Sequence, residues 1–92
     1  MAYKIAYHSL VIKEDINSIP ANMRDRIREA IEQRILRDPL QAGKPLRQSL
    51  KGHRKMRVGD YRIIYRLEQN LVIIMKIGHR KDVYEKVWKR LN

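Results

Sequence analysis

Residues 54–67 read Arg54-Lys55-Met56-Arg57-Val58-Gly59-Asp60-Tyr61-Arg62-Ile63-Ile64-Tyr65-Arg66-Leu67. Apolar and cationic residues alternate on either side of Gly59-Asp60. A period of two marks a strand with one face on a core, and Gly-Asp between two such runs signals a two-residue turn. With that turn, Val58 pairs with Tyr61, Arg57 with Arg62 and Met56 with Ile63. Directly opposed residues in an antiparallel pair project to the same side. Met56, Val58, Tyr61, Ile63 and Tyr65 therefore face the core, and Lys55, Arg57, Arg62 and Arg66 the other side, with Ile64. The alternative is a register off by one with Lys55, Arg57 and Arg62 separately solvated, but that slip would put Met56 and Ile63 into water, which favours the register drawn.

Downstream, Glu68-Gln69-Asn70 reads as a three-residue turn before the mostly apolar strand Leu71 to Ile77. Leu67 then pairs with Leu71, Lys76 lies beside Arg62, and Met75 beside Ile63. A two-residue turn would carry Lys76 over the core, so the longer turn is expected. The same parity brings Arg80 to the Arg62 side. Ile64, Val72 and Ile74 form an apolar strip on the basic face, to be covered by the last helix or by another protein. From Asp82 the period is helical, with Val83, Val87 and Leu91 on one stripe and Tyr84 with Trp88 on another.

Upstream, Tyr3 to Tyr7 alternates as a short strand. Ser9 caps a helix running to about Ile16, with Ile12, Ile16 and Ile19 at helical spacing. Pro20 suits the first turn of a second helix, whose inner stripe is Met23, Ile27, Ala30, Ile31 and Ile35. Asp38-Pro39 ends it. Residues 39–53 read as a loop anchored by Leu40, Leu46 and Leu50. The order β-α-α-β-β-β-α predicts an α+β fold over residues 1–92 as a single domain. Its small antiparallel or mixed four-stranded sheet carries an N-terminal helical hairpin on one face and a short C-terminal helix.

The chain has 92 residues, 43% of them hydrophobic, and no cysteine. A disulfide framework and a thiolate metal site are excluded. Three histidines (His8, His53, His79) without Cys do not suggest structural zinc, and His8 and His53 read as incidental. No metal and no cofactor are expected. No apolar run approaches the roughly 18 residues of a membrane span, and no leader pattern is present, so a cytoplasmic protein without a membrane partner is expected. The net charge is +11, unevenly placed. Residues 1–43 hold 7 basic and 6 acidic side chains, residues 44–92 hold 14 and 4. A half-molecule that positive points to a polyanion, nucleic acid first.

Leu50-Lys51-Gly52, then Arg57-Val58-Gly59-Asp60-Tyr61-Arg62-Ile63-Ile64-Tyr65, then Ile77-Gly78-His79-Arg80-Lys81-Asp82-Val83-Tyr84 resemble the RelE family of toxin–antitoxin toxins. The element order is similar to that family's fold as well, so the resemblance spans essentially the whole chain. It implies a ribosome-dependent endoribonuclease that cuts mRNA in the ribosomal A site and is held inactive by a cognate antitoxin. The family's basic strand pair matches Lys55 and Arg57, its strand arginine Arg62, its post-strand arginine Arg80, and its C-terminal tyrosine Tyr84. Where this chain has Arg57, the family member best known for the chemistry has lysine. Arginine does not deprotonate near neutrality, which leaves Lys55 as the base. His79 stands where that member has lysine, and its acid or base part is open.

RNA supplies its own nucleophile, the 2′-OH, which attacks the adjacent phosphate without a metal ion. The enzyme must remove the 2′ proton, stabilise the crowded phosphate, and protonate or stabilise the departing 5′-oxygen. Arg62, helped by Arg57, suits the nonbridging oxygens through its planar fork. Arg80 suits the leaving oxygen, and Tyr84 a base stacked to bring the backbone in line. Tyr84 with Trp88 at i,i+4 also suits plain packing on the sheet. The surplus cations Lys44, Arg47, Lys51, Arg54, Lys81, Lys86, Lys89 and Arg90 exceed what one phosphate needs and suit ribosomal RNA.

Two other readings stay open at this point: a ParE-like poison of DNA gyrase that cleaves nothing, and a non-catalytic RNA-binding module. The joint presence of Lys55, Arg57, Arg62, Arg80 and Tyr84 favours the nuclease. The antitoxin is expected to cover the basic face or displace the last helix, using Ile64, Val72 and Ile74. Like charge on the basic face favours a monomer when free, and the resemblance implies a hetero-oligomer with the antitoxin.

Overall fold

The strands are β1 (Lys4–Tyr7), β2 (Lys44–Pro45), β3 (His53–Val58), β4 (Tyr61–Glu68) and β5 (Leu71–His79). They form one mixed sheet in the order β1-β5-β4-β3-β2, with β1 parallel to β5 and the other pairs antiparallel. The computed structural model describes residues 2–91, and for Ser49 the backbone alone. The central hairpin closes in the expected register, with Val58 opposite Tyr61, Arg57 opposite Arg62 and Met56 opposite Ile63. Gly59 takes φ +58° at the first turn position, where a side chain would be strained.

Helices lie on both faces. A π-helical turn (Val11–Asp15) runs into a 3-10 turn (Ile16–Ser18), followed by α1 (Ala21–Ala30) and a second π-helical turn (Ile31–Ile35). Their buried residues Val11, Ile19, Ile27, Ile31 and Ile35 pack on Met56, Val58, Ile63, Tyr65, Val72, Ile74 and Ile77. On the opposite face α3 (Val83–Arg90) presents Val83 and Val87 to Ile64 and Met75. Burying each such side chain contributes about 1.5–3 kcal/mol.

The second helix keeps its expected stripe, but the first helical segment turns a different face inward. Val11, Asp15 and Ile19 are buried, whereas Ile12 is 54% exposed. In the π-helical turn the N–H of Ile16 donates to the carbonyl of Val11, five residues back. That widened turn keeps residues four apart on one side, so Val11, Asp15 and Ile19 face inward while Ile12 turns out and Ile16 is half-buried. The turn begins with Nδ1 of His8 accepting the N–H of Leu10 at 3.1 Å, so His8 takes the capping bond expected of Ser9.

Residues 39–53 are not a plain loop. They contain α2 (Pro39–Ala42), β2 and a 3-10 turn (Gln48–Leu50). β2 adds a fifth strand to the four expected, pairing Lys44 with Lys55 and Pro45 with Arg54. Proline is tolerated there because the strand is at an edge. A Cβ on Gly43 would stand 2.7 Å from the carbonyl oxygen of Lys55 and against the Tyr65 hydroxyl, which is what lets the chain approach β3 so closely. The buried Tyr65 hydroxyl donates to the carbonyl of Pro39 at 2.7 Å. Leu46 and Leu50 anchor to the α3-side core, but Leu40 is exposed.

The β4–β5 phase differs from expectation. The turn has two residues, Gln69 and Asn70, so Glu68 opposes Leu71, and a bulge between Ile64 and Tyr65 resets the ladder. Arg62 therefore opposes Gly78, Ile63 opposes Ile77, and Ile64 opposes Lys76. Val72 and Ile74 turn into the helical-hairpin core, fully buried like Tyr65 and packed with the partly buried Ile5.

Candidate active site

Strand pairing gathers the site. Lys55, Arg57, Arg62 and Ile64 share the face that also carries α3. Lys55 Nζ sits 5.5 Å from the centre of the Tyr84 ring, a cation–π contact that ties β3 to the first turn of α3. Arg62 Nη1 donates to the carbonyls of Tyr61 (3.0 Å) and Gly59 (3.2 Å), which folds the guanidinium back over the hairpin turn. A groove of about 420 Å³ runs along this edge, lined by Arg34, Ala42, Lys44, Lys55, Met56, Arg57 and Arg62. No acidic residue lines it. Among the described residues no carboxylate stands within 4 Å of Lys55, Arg57 or Arg62.

The acidic residues nearby are committed elsewhere. Glu68 pairs with Arg66 at 2.9 Å, Asp82 with Lys86 at 3.1 Å, and Asp60 with Arg80 at 3.6 Å. Arg80 stands on the turn after β5, where its N–H donates to the Asp60 carbonyl at 2.8 Å. It is therefore held at the hairpin-turn end of the sheet and does not line the groove. Its ion pair with Asp60 is exposed on both sides and is worth little, so the guanidinium is available to an anion. His79 turns to the opposite face, edge-on to Tyr61 with ring centres 5.7 Å apart, and Nδ1 accepts the N–H of Lys81 at 3.2 Å.

Arg34 is the groove residue that sequence reasoning missed. It lies in the π-helical turn Ile31–Ile35 and lines the basic groove from the helix side. In the sequence it is one of many helix cations, and the fold is what brings it into one groove with Arg57.

Several expected contacts are corrected. Arg90 is not a surface cation: its side chain is 5% exposed and its two Nη atoms each donate to Asp15 at 2.7 Å. Lys76, expected beside Arg62, is buried and donates to Asp15 at 2.8 Å. Arg54 Nη2 donates to the carbonyls of Leu40 (2.6 Å) and Gly43 (3.0 Å), bracing α2 against β3 rather than facing solvent. His53 is buried at the start of β3, and burial together with the Arg66 charge pushes its imidazole below the ordinary value of 6.5. Lys44, Arg47, Lys51, Lys81, Lys86 and Lys89 are exposed. The Ile64-Val72-Ile74 strip is not a surface: Ile64 is sealed under α3, and the two-residue turn puts Val72 and Ile74 on the other face.

The open apolar surface lies elsewhere. A groove of about 520 Å³ separates the first helical segment from α1, with Tyr7, Ile12, Ile16 and Ile19 on one wall and Ile27 and Ile31 on the other. Arg24 and Arg28 stand on its rim with Asp25, which Arg28 meets at 3.3 Å.

Residues 9–84 match the family described as ParE toxin of type II toxin-antitoxin system, parDE. Toxin RelG of Mycobacterium tuberculosis is 32% identical over 88 residues, covering 94% of this chain and 100% of the relative. The chain is a RelE-family toxin of the RelE/ParE toxin–antitoxin superfamily. Toxin RelE of the same organism is 32% identical to this RelE-family toxin over 72 residues, 76% of this chain and 74% of the relative. The toxin–antitoxin complex RelBE2 from Mycobacterium tuberculosis superposes with a TM-score of 0.79 at 29% identity, covering 87% of this chain and 100% of that one. The fold is also that of an E. coli toxin RelE mutant in the free state, at a TM-score of 0.76, 22% identity and full coverage of both chains. The matched residues take in every side chain that lines the basic groove. Among the described residues no helix is long and apolar enough to cross a membrane.

Proposed function

We propose that this toxin is a ribosome-dependent endoribonuclease that cuts mRNA in the A site by attack of the 2′-OH on the adjacent phosphate. One observation carries the reading: Lys55, Arg57 and Arg62 share one face with an aromatic ring beside them and, among the described residues, no carboxylate within 4 Å to neutralise them. Stability alone disfavours such a cluster, because like charges opposed across a ladder repel. A bound phosphate relieves it.

In this reading Lys55, in its neutral amine form, takes the 2′ proton on Nζ as the 2′-oxygen bonds to phosphorus. The P–O5′ bond breaks, leaving a 2′,3′-cyclic phosphate on the upstream fragment and a downstream fragment whose 5′-oxygen takes a proton from solvent. Arg62 and Arg57 hold the nonbridging oxygens through the fork geometry that suits phosphate. Arg80, across the hairpin turn, stabilises the charge on the departing 5′-oxygen. Tyr84 stacks on a base and holds the backbone in line. The exposed Lys44, Arg47, Lys51, Lys81, Lys86 and Lys89 take up ribosomal RNA phosphates.

A cognate antitoxin silences the toxin, as the complex formed by its relative suggests, and its seat is the apolar groove between the first helical segment and α1. The cationic rim at Arg24 and Arg28 fits an apolar segment with acidic flanks. Ile12→Glu weakens antitoxin binding and leaves cleavage intact; unchanged binding moves the seat elsewhere.

The test of function is to add the protein to programmed ribosomes and map new mRNA 5′ ends. Cuts that vanish in Arg62→Ala and Arg80→Ala support the reading. Intact mRNA together with gyrase-linked DNA breaks supports the ParE-like alternative.

A further inference from the structure

Asp15 is a carboxylate shut away from water, with a side chain 1% exposed. Its Oδ1 accepts from Lys76 Nζ at 2.8 Å and Arg90 Nη2 at 2.7 Å, and its Oδ2 from Arg90 Nη1 at 2.7 Å and the N–H of Ile77 at 2.9 Å. Lys76 and Arg90 are themselves 10% and 5% exposed. Arg90 Nη1 also donates to the carbonyl of Met75 at 3.0 Å. Three elements meet at this point: the π-helical turn Val11–Asp15, β5, and the last residue of α3. β1 pairs with β5 only as far as Tyr7 and Ile74, and Asp15 takes over the N–H of Ile77 beyond it.

Two buried cations on one carboxylate are not the arrangement that stability favours. Replacing buried ionic groups by apolar ones of similar volume is often neutral or stabilising. What the ionic arrangement provides is direction. The apolar contacts of Val83 and Val87 with Ile64 and Met75 carry no direction, whereas two hydrogen bonds to Asp15 and one to the Met75 carbonyl hold Arg90 at one point. Tyr84 lies on the same short helix, with its ring under Lys55. We propose that the Asp15–Lys76–Arg90 clasp is the positioning device of the active site, fixing α3 so that Tyr84 stays beside Lys55 and the Arg57–Arg62 pair. Its effect on cleavage rests on the nuclease reading; its effect on α3 does not.

The experiment compares amide exchange and ribosome-programmed cleavage in the full chain. Asp15→Asn keeps the volume but strands the charges of Lys76 and Arg90. Exchange in residues 83–90 accelerates while β4 and β5 stay protected, and kcat falls on the order of 10²-fold, the scale for a misplaced reacting group, with KM changed by less than about threefold. In a Tyr84→Ala background the same substitution causes no further loss, because Asp15 acts through Tyr84. The triple variant Asp15→Leu/Lys76→Met/Arg90→Leu removes the stranded charges and carries the test where Asp15→Asn does not fold: it folds, yet kcat stays low. Unchanged α3 exchange in Asp15→Asn, losses that multiply with Tyr84→Ala, or full kcat in the triple variant each overturn the clasp. If the unaltered protein cuts no mRNA, the nuclease reading fails and α3 exchange still decides the clasp.

Discussion

Arg57 and Arg62 stand directly opposite each other on β3 and β4, with no carboxylate within 4 Å of either among the described residues. Opposed like charges destabilise an antiparallel pair by roughly 0.2–1 kcal/mol. Arg57→Thr therefore raises the urea midpoint by an amount worth about 0.5 kcal/mol while cleavage falls at least about tenfold. A variant less stable than the parent would mean that the pair is not strained.

Tyr84 separates packing from stacking. Tyr84→Phe keeps the ring, so it retains the contact with Lys55 and most of the cleavage rate. Tyr84→Ala loses about 1–3 kcal/mol of base stacking, roughly tenfold to hundredfold in rate. Single-turnover cleavage at saturating ribosome measures both. Equal losses in Phe and Ala would assign the role to the hydroxyl instead.

Ionic strength sorts the surplus cations. Replacing exposed Lys51, Lys81 or Lys89 by Ala weakens ribosome binding and lowers the slope of log K against log salt by about one each. Arg54→Ala acts on stability instead, because it removes the brace to the Leu40 and Gly43 carbonyls. Pelleting assays across a salt series and urea melts distinguish the two classes.

Acid acts through Asp15. Burial alone would raise its carboxyl, but the hydrogen bonds from Arg90, Lys76 and the N–H of Ile77, with the Lys76 charge, outweigh that and hold it below its ordinary value of 3.8. Glu14, 3.8 Å from Arg90, is the other carboxylate at the clasp, and Asp82, His79 and Lys86 line the adjoining cavity. With the folded value below the unfolded one, the stabilisation is present above about pH 4 and is lost as pH falls through the folded value. The stability gap between the parent and Asp15→Asn is therefore full at about pH 6 and shrinks toward about pH 2.5. Urea melts across that range measure it; a constant gap would mean that the carboxylate is not the titrating group.

Where one local rule decided an element, the sequence was enough. Met56 and Ile63 could not be exposed, so the β3–β4 register and the Lys55, Arg57, Arg62 face followed. Ile27, Ile31 and Ile35 kept one stripe for the same reason. Elsewhere the deciding partner is remote. Lys76 reads as a side chain that must reach water, and only Asp15, 61 residues away, makes its burial tolerable. The three-residue turn chosen to keep Lys76 out of the core thus misplaced Val72 and Ile74. Asp15 likewise disguised the buried face of the first helical segment, and Arg90 looked like its exposed neighbours Lys86 and Lys89. β2 is too short to alternate, and Gly43 signals it only through the close approach to Lys55.

The direct test of the basic cluster is single-turnover cleavage of mRNA on programmed ribosomes by the parent and Arg62→Ala, each confirmed folded, with the product ends identified. Cleavage by the parent leaving a 2′,3′-cyclic phosphate, slowed at least about hundredfold in Arg62→Ala, is the predicted result. Equal rates in the two proteins, or product ends bearing a 3′-hydroxyl and a 5′-phosphate, would contradict it.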